Sequence, residues 1–194
     1  MTQAMNTTAS GLLHYLVDPK ASRFTVQAFA TGMLSAMGHN PTIGIRNFSG
    51  EVDFSPDLAQ GARFRLSIQA NSLTVLDDVS EKDRREMEQM MNERVLEPDK
   101  YPEILYEVPS VSVTRLQGSL YSATLNGNLA FHGVTRTLPV TARIADFGEM
   151  LRTSGDFTLR QSDFGIKPVS VAGGALKVKD ELKFSFEFVA RKQE

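Results

Sequence analysis

The chain has 194 residues, with 21 Lys and Arg against 23 Asp and Glu, a formal net charge of −2, and neither cysteine nor tryptophan. A hydrophobic share of 41% with 14 glycines is an ordinary globular composition and excludes wholesale disorder. Without cysteine there can be no disulfide framework, thiolate zinc site or cysteine nucleophile, and the near-neutral charge gives no reason to expect nucleic acid as a partner.

Residues 1–11 read as a flexible N-terminus and 12–194 as a single domain, since no second composition regime, repeat or linker interrupts the chain. The opening MTQAMNTTASGLLHYLVDPK has no basic residue before Lys20 and no apolar run longer than Leu12–Leu13, so it lacks both parts of a secretory leader. No window of 18 apolar residues exists to span a membrane. The expected location is cytoplasmic, although a processed periplasmic chain would read the same.

Strands are expected at about 12–17, 22–30 and 42–54. In the last of these, Ile43 and Ile45 share a parity that Phe48, Gly50, Val52 and Phe54 do not, which predicts a bulge near Arg46–Asn47. Phe64, Leu66, Ile68 and Ala70 then alternate with Arg63, Arg65, Ser67 and Gln69. A helix is expected over about 80–95. Ser80 caps it, Asp83 stands three residues on, Met87, Met90, Met91 and Val95 form one stripe, and Glu97-Pro98 ends it. Between 77 and 103 lie ten acidic and five basic residues, so this segment carries −5 and the rest of the chain +3. The expected helix is a charged rod that lays its methionines on a sheet edge or barrel mouth.

Further strands follow at about 104–114, 119–131, 138–144, 151–162 and 182–188, with reversals at Gln117–Gly118, His132–Gly133 and Phe147–Gly148. Residues 168–180 read as a mobile loop. Period-two alternation leaves one face of each strand dry, which is the mark of an antiparallel sheet. The fold class is therefore all-β and antiparallel. About eight strands and one amphipathic helix would close into a barrel to hide their edges.

No nucleophile elbow, phosphate loop, HExxH, EF-hand loop or dinucleotide fingerprint occurs, and the chain reads as a non-enzyme with no catalytic residues. His14, His39 and His132 are far apart and lack ligand spacing, so no metal site and no cofactor are expected. Eight phenylalanines, at 24, 54, 64, 131, 157, 184, 186 and 188, share the apolar parity of their strands. They would line a cavity for a long apolar ligand or equally fill a solid core. The expected lining is Phe24, Val26, Phe64, Leu66, Ile68, Phe131, Phe157, Leu159, Phe184 and Phe186, with His39 and Arg160 as head-group contacts. A salt bridge between Arg160 and Asp163 is the bland alternative for that arginine.

One resemblance gathers these segments. Phe24-Thr25-Val26, Phe48-Ser49-Gly50-Glu51-Val52, Ala70-Asn71-Ser72-Leu73 and Lys82-Asp83-Arg84 stand in order with Val95-Leu96 and Tyr101-Pro102-Glu103-Ile104. Gly127-Asn128-Leu129, His132-Gly133-Val134-Thr135-Arg136 and Ser162-Asp163-Phe164-Gly165-Ile166 complete the series. Over about residues 15–190 the chain resembles the YceI-like family, which implies a lipocalin-like barrel whose elongated cavity takes a polyisoprenoid, an isoprenoid quinone or a fatty-acid-type lipid. The resemblance implies binding, storage or transport in proteins that are often periplasmic and tied to quinone metabolism or stress. Gly38–Pro41 and Gly173–Asp180, with the missing leader, mark a separate branch. The alternative is a filled barrel acting as a protein-interaction or stress module, its acidic segment meeting a basic partner. A homodimer through an imperfectly closed edge is the expected assembly.

Overall fold

A computed structural model of the protein describes residues 12–33, 38–54 and 62–194. The expected flexible N-terminus, 1–11, lies outside the described residues. In chain order the elements are β1 (Leu13–Val17), β2 (Arg23–Gln27), β3 (Ala30–Thr31), β4 (Thr42–Ile45), β5 (Phe48–Phe54), β6 (Ala62–Gln69), β7 (Leu73–Val75) and α1 (Glu81–Met91). After the helix come β8 (Glu103–Gln117), β9 (Leu120–Phe131), β10 (Val134–Asp146), β11 (Met150–Arg160), β12 (Ser170–Val171), β13 (Leu176–Val178) and β14 (Glu181–Lys192).

The main sheet closes on itself. Its ring runs β1, β5, β6, β8, β9, β10, β11, β14 and back to β1, with every pairing antiparallel. This is the expected eight-stranded, lipocalin-like barrel. Strands β2, β4 and β7 continue β1, β5 and β6 beyond one shared level of interruption, at 18–22, 46–47 and 70–72. The break at Arg46–Asn47 is the one the change of parity predicts. One extra residue there returns Ile45 and Phe48 to the interior together. Asn47 stays tied to the next strand, its N–H donating to Ser72 Oγ at 3.0 Å and its carbonyl accepting from Gln69 N–H at 3.0 Å.

Pro109 sits at a second irregularity. It cannot donate to a ladder, and the registers of β6–β8 and β8–β9 both slip by one residue beside it. The β9–β10 hairpin turns on His132 (φ 51°) and Gly133 (φ 75°), two positive φ values in succession that match the right-handed twist of the flanking strands. At the middle of the wall Gly155 lets the Phe186 ring lie over the backbone. A Cβ there would stand 2.6 Å from the Thr141 carbonyl oxygen and 2.7 Å from Phe186 Cζ.

The helix begins as expected at Ser80, whose Oγ accepts from Asp83 N–H at 3.1 Å and donates to Asp83 Oδ2 at 2.7 Å. Its last turn widens into a π-turn over Asn92–Leu96 and ends at Glu97, which is left-handed at φ 42°. The 168–180 stretch departs from the expected loop. β12 and β13 form a hairpin that pairs with β3 as a three-stranded sheet. Its strands are two and three residues long, too short for period-two alternation to register.

Candidate functional site

The barrel has two unlike ends. One carries the short turns 118–119 and 147–149. Tyr15, Phe54 and Leu151 meet there at 0%, 1% and 1% exposure, and the Tyr15 hydroxyl donates to the Gly148 carbonyl at 2.9 Å. The Phe54 ring meets Tyr121 edge-on at 5.4 Å. The other end holds α1, the small sheet and the 38–41 segment.

Between them the barrel encloses a cavity of about 470 Å³. That volume is within the roughly 300–1,000 Å³ of small-molecule sites. The barrel is therefore hollow, where the phenylalanine pattern by itself admitted a solid core. Phe24 and Val26 from β2, and Phe64, Leu66 and Ile68 from β6, face this space. So do Phe131 from β9, Phe157 and Leu159 from β11, and Phe184 and Phe186 from β14. Strand parity does this work: each residue is two or four positions from its neighbour on the same strand. Phe157 and Phe184 stack at 4.7 Å with 8° between ring planes, and Phe186 and Phe188 stack at 5.1 Å.

The methionine stripe of α1 also belongs to the lining. Met87, Met90, Met91 and Val95 all contact the cavity, so the helix forms its end wall. Side chains of α1 serve the free edge of β7. Glu88 Oε1 accepts from Val75 N–H at 2.9 Å, Arg84 Nη1 donates to the Val75 carbonyl, and Arg84 Nη2 donates to the Asp77 carbonyl at 2.9 Å. A strand edge that would otherwise expose unpaired backbone is thereby satisfied by the helix. Val169, Val171 and Leu176 of the small-sheet region line the cavity as well, which sequence reasoning missed because it took them for loop.

Polar groups on the wall are few. Asp83 and Glu86 of α1, His39 and Lys177 contribute at the helix end. The Tyr106 hydroxyl is turned into the wall, donating to the Leu138 carbonyl at 2.7 Å, and burial pushes its pKa up to about 12. Gln161 also reaches the cavity. It continues the inward parity of Phe157 and Leu159 and was legible by that rule, although it was not among the expected lining.

His39, expected as a head-group contact, lies on the cavity lining and is exposed. The expectation for Arg160 is corrected. It lies on the outward parity of β11, exposed, opposite Glu181 on β14, and does not line the cavity. Nor do Arg160 and Asp163 form an ion pair among the described residues. Arg136 Nε donates to the Asp163 carbonyl at 3.1 Å, and the positive charge of Arg160 adds to the Ser162 hydrogen bonds that hold the Asp180 carboxyl low.

The other histidines serve structure. His14 meets Asp53 at 2.9 Å across β1 and β5. His132 Nε2 lies 2.6 Å from Glu97 Oε2, with the Tyr101 ring 4.4 Å away, joining the β9–β10 turn to the end of the helical segment. This hydrogen bond is the largest influence holding the Glu97 carboxyl below its ordinary range, and Lys100 adds to it. Among the described residues no three His, Asp or Glu side chains converge to hold a metal, and no helix is long and apolar enough to cross a membrane.

Known structures share this architecture. A polyisoprenoid binding domain from Saccharophagus degradans, implicated in plant cell wall breakdown, superposes with a TM-score of 0.68 at 14% identity, covering 93% of this chain and 99% of that one. BcnA of Burkholderia cenocepacia gives 0.66 at 19% identity, covering 89% and 98%. At these identities the likeness is one of fold. In sequence, a UPF0312 protein of Shewanella sp. (strain W3-18-1) is 26% identical over 166 residues, 82% of this chain and 80% of that protein. The model of the YceI-like domain matches residues 15–190, nearly the whole barrel, and the chain belongs to that family.

Proposed function

We propose that the barrel binds one long apolar lipid, a polyisoprenoid or a comparable long-chain molecule, and stores or carries it without chemical change. One observation carries this reading: a cavity of about 470 Å³ whose wall is built almost entirely of Phe, Leu, Ile, Val and Met side chains. Such a surface offers no directional contact to most of a ligand, so affinity comes from apolar area, at roughly 25 cal/mol per Å² removed from water. The naming of the Saccharophagus relative as a polyisoprenoid binding domain supports the choice of ligand class. The methionine-faced helix supports exchange, because flexible thioether side chains repack around chains of different length.

Native mass spectrometry of freshly purified protein, followed by organic extraction, tests the reading. A one-to-one mass increment that extraction removes, and that proves to be a long-chain lipid, is the expected result. A bare mass that stays bare after incubation with prenyl lipids overturns it.

A further inference from the structure

One buried polar side chain on the cavity wall is held in place with hydrogen-bonding capacity to spare. Gln161 is 2% exposed, the one buried polar residue among those described, and it lines the cavity beyond Leu159 on the same parity. Its backbone is fully engaged: the N–H donates to the Asp180 carbonyl at 3.0 Å and the carbonyl accepts from Ile166 N–H at 3.1 Å. In the side chain, Nε2 donates to the Lys179 carbonyl at 3.0 Å. That contact sets the orientation of the amide, because turning it over would place two carbonyl oxygens against each other. Oε1 and the second Nε2–H are thereby left over. Among the described residues Oε1 accepts no hydrogen bond.

A buried acceptor without a donor is costly, whereas the same acceptor facing a ligand hydroxyl is satisfied. The other polar groups on the wall do not compete for this role. The Tyr106 hydroxyl is consumed by wall carbonyls, His39, Arg63, Glu86 and Lys177 are exposed, and the half-buried Asp83 carboxylate already accepts from the Ser80 hydroxyl at the helix start. Thr153 shares the row of Gln161 on β11 but lies eight residues away, and its hydroxyl both donates and accepts, so it expresses no preference.

We infer that Gln161 anchors the polar end of the ligand, and that this end is a hydroxyl, which donates to Oε1 and can also accept from the second Nε2–H, as in a prenyl or fatty alcohol or a hydroquinone. This inference rests on the lipid-binding reading and narrows it. A quinone, an ester or an ionised fatty acid presents only acceptors, which can take the second N–H but leave Oε1 unpaired. The narrowing also orients the ligand, with its head beneath the turn at 161–164 at the helix end and its tail towards the packed end.

The test is competition measured by native mass spectrometry, with delipidated protein mixed with equimolar geranylgeraniol and geranylgeranyl methyl ether. The two probes share a chain and differ in the donor. The wild-type protein is expected to favour the alcohol by roughly three- to tenfold, the effect of one hydrogen bond. Gln161→Leu is expected to bring the two near parity, and Thr153→Val to keep the preference. Parity in the wild type overturns the inference and requires no variant to fold. An undiminished preference in Gln161→Leu overturns it as well. If neither probe binds, the lipid reading itself falls, and that outcome is distinct from equal binding of both.

Discussion

The two ends of the barrel are made from the same strands and behave as different materials. On β14, Phe186, Phe188 and Ala190 are buried towards the short-turn end, while Leu182 and Phe184 are only half-buried towards the helix end. The β10–β11 ladder shows the same gradient. It runs over Arg143–Asp146 against Leu151–Ser154 at the packed end and does not continue to Pro139, whose ring nitrogen has no hydrogen to donate. Side chains at the short-turn end close the bottom of the cavity, where Phe54, Leu151, Phe188 and Ala190 line it while almost fully buried. Those at the helix end line the same cavity while only half-buried, and α1 and the small sheet form the wall that neighbouring strands would otherwise supply. One barrel can thus keep its stability at one end and its binding surface at the other, since stability needs close packing and a binding site needs some left undone.

The largest effect that tests this contrast is on stability. Phe54→Ala is expected to cost about 3–5 kcal/mol in urea unfolding, because it removes a ring that is 1% exposed and meets Tyr121 edge-on at the closed end of the cavity. Met90→Ala, on the half-buried stripe of α1, is expected to cost about 1 kcal/mol for the apolar area it leaves exposed. Equal losses would break the distinction between the two ends.

Next in size is Gly155→Val, which forces a side chain against the Thr141 carbonyl and the Phe186 ring and is expected to cost about 1–3 kcal/mol by overpacking. A lower thermal midpoint with an unchanged far-UV spectrum is the expected signature.

Phe184→Trp sharpens the comparison from the other side. Its added bulk enters the cavity, so prenyl-lipid affinity is expected to drop about tenfold, while stability changes by less than about 1 kcal/mol because the space is already empty. A large stability loss with unchanged affinity would reassign Phe184 to the packed region.

The smallest effect is a pH dependence at the helix end. The hydrogen bond with His132 lowers the pKa of Glu97 in the folded chain, so this carboxylate stabilises the fold fully above its unfolded value of 4.5. That contribution is lost as pH falls through the folded value. Asp180 is likewise held below 3.8, chiefly by the Ser162 hydroxyl, and acts in the same direction. Glu97→Gln is expected to flatten the decline in thermal midpoint below pH 4.5 and to leave the curve above that pH parallel to wild type. An identical acid limb would show that the His132 contact has no energetic consequence.

Most of the wall was legible residue by residue. Alternation assigned the inward side chains of β2, β6, β9, β11 and β14, because a strand offers only two faces and water takes one of them. The parity change at Ile45–Phe48 exposed the break between β4 and β5, and Ser80, the methionine stripe and Glu97-Pro98 delimited the helical segment. Arg160 was misplaced although the same alternation, applied strictly from Leu159, puts it outside. Gln161 was passed over because a polar residue on an apolar parity looks like the end of a pattern, not its continuation.

By itself the sequence determined that the chain is an antiparallel barrel with one amphipathic helix, since periodicity is a local property that each segment carries alone. Only the tertiary structure decided that the interior is hollow, because volume depends on how eight strands and a helix meet and no single segment encodes it. It also decided that β12 and β13 join β3 in a small sheet, and that the Lys179 carbonyl, 18 residues along the chain, holds the Gln161 amide at the cavity wall.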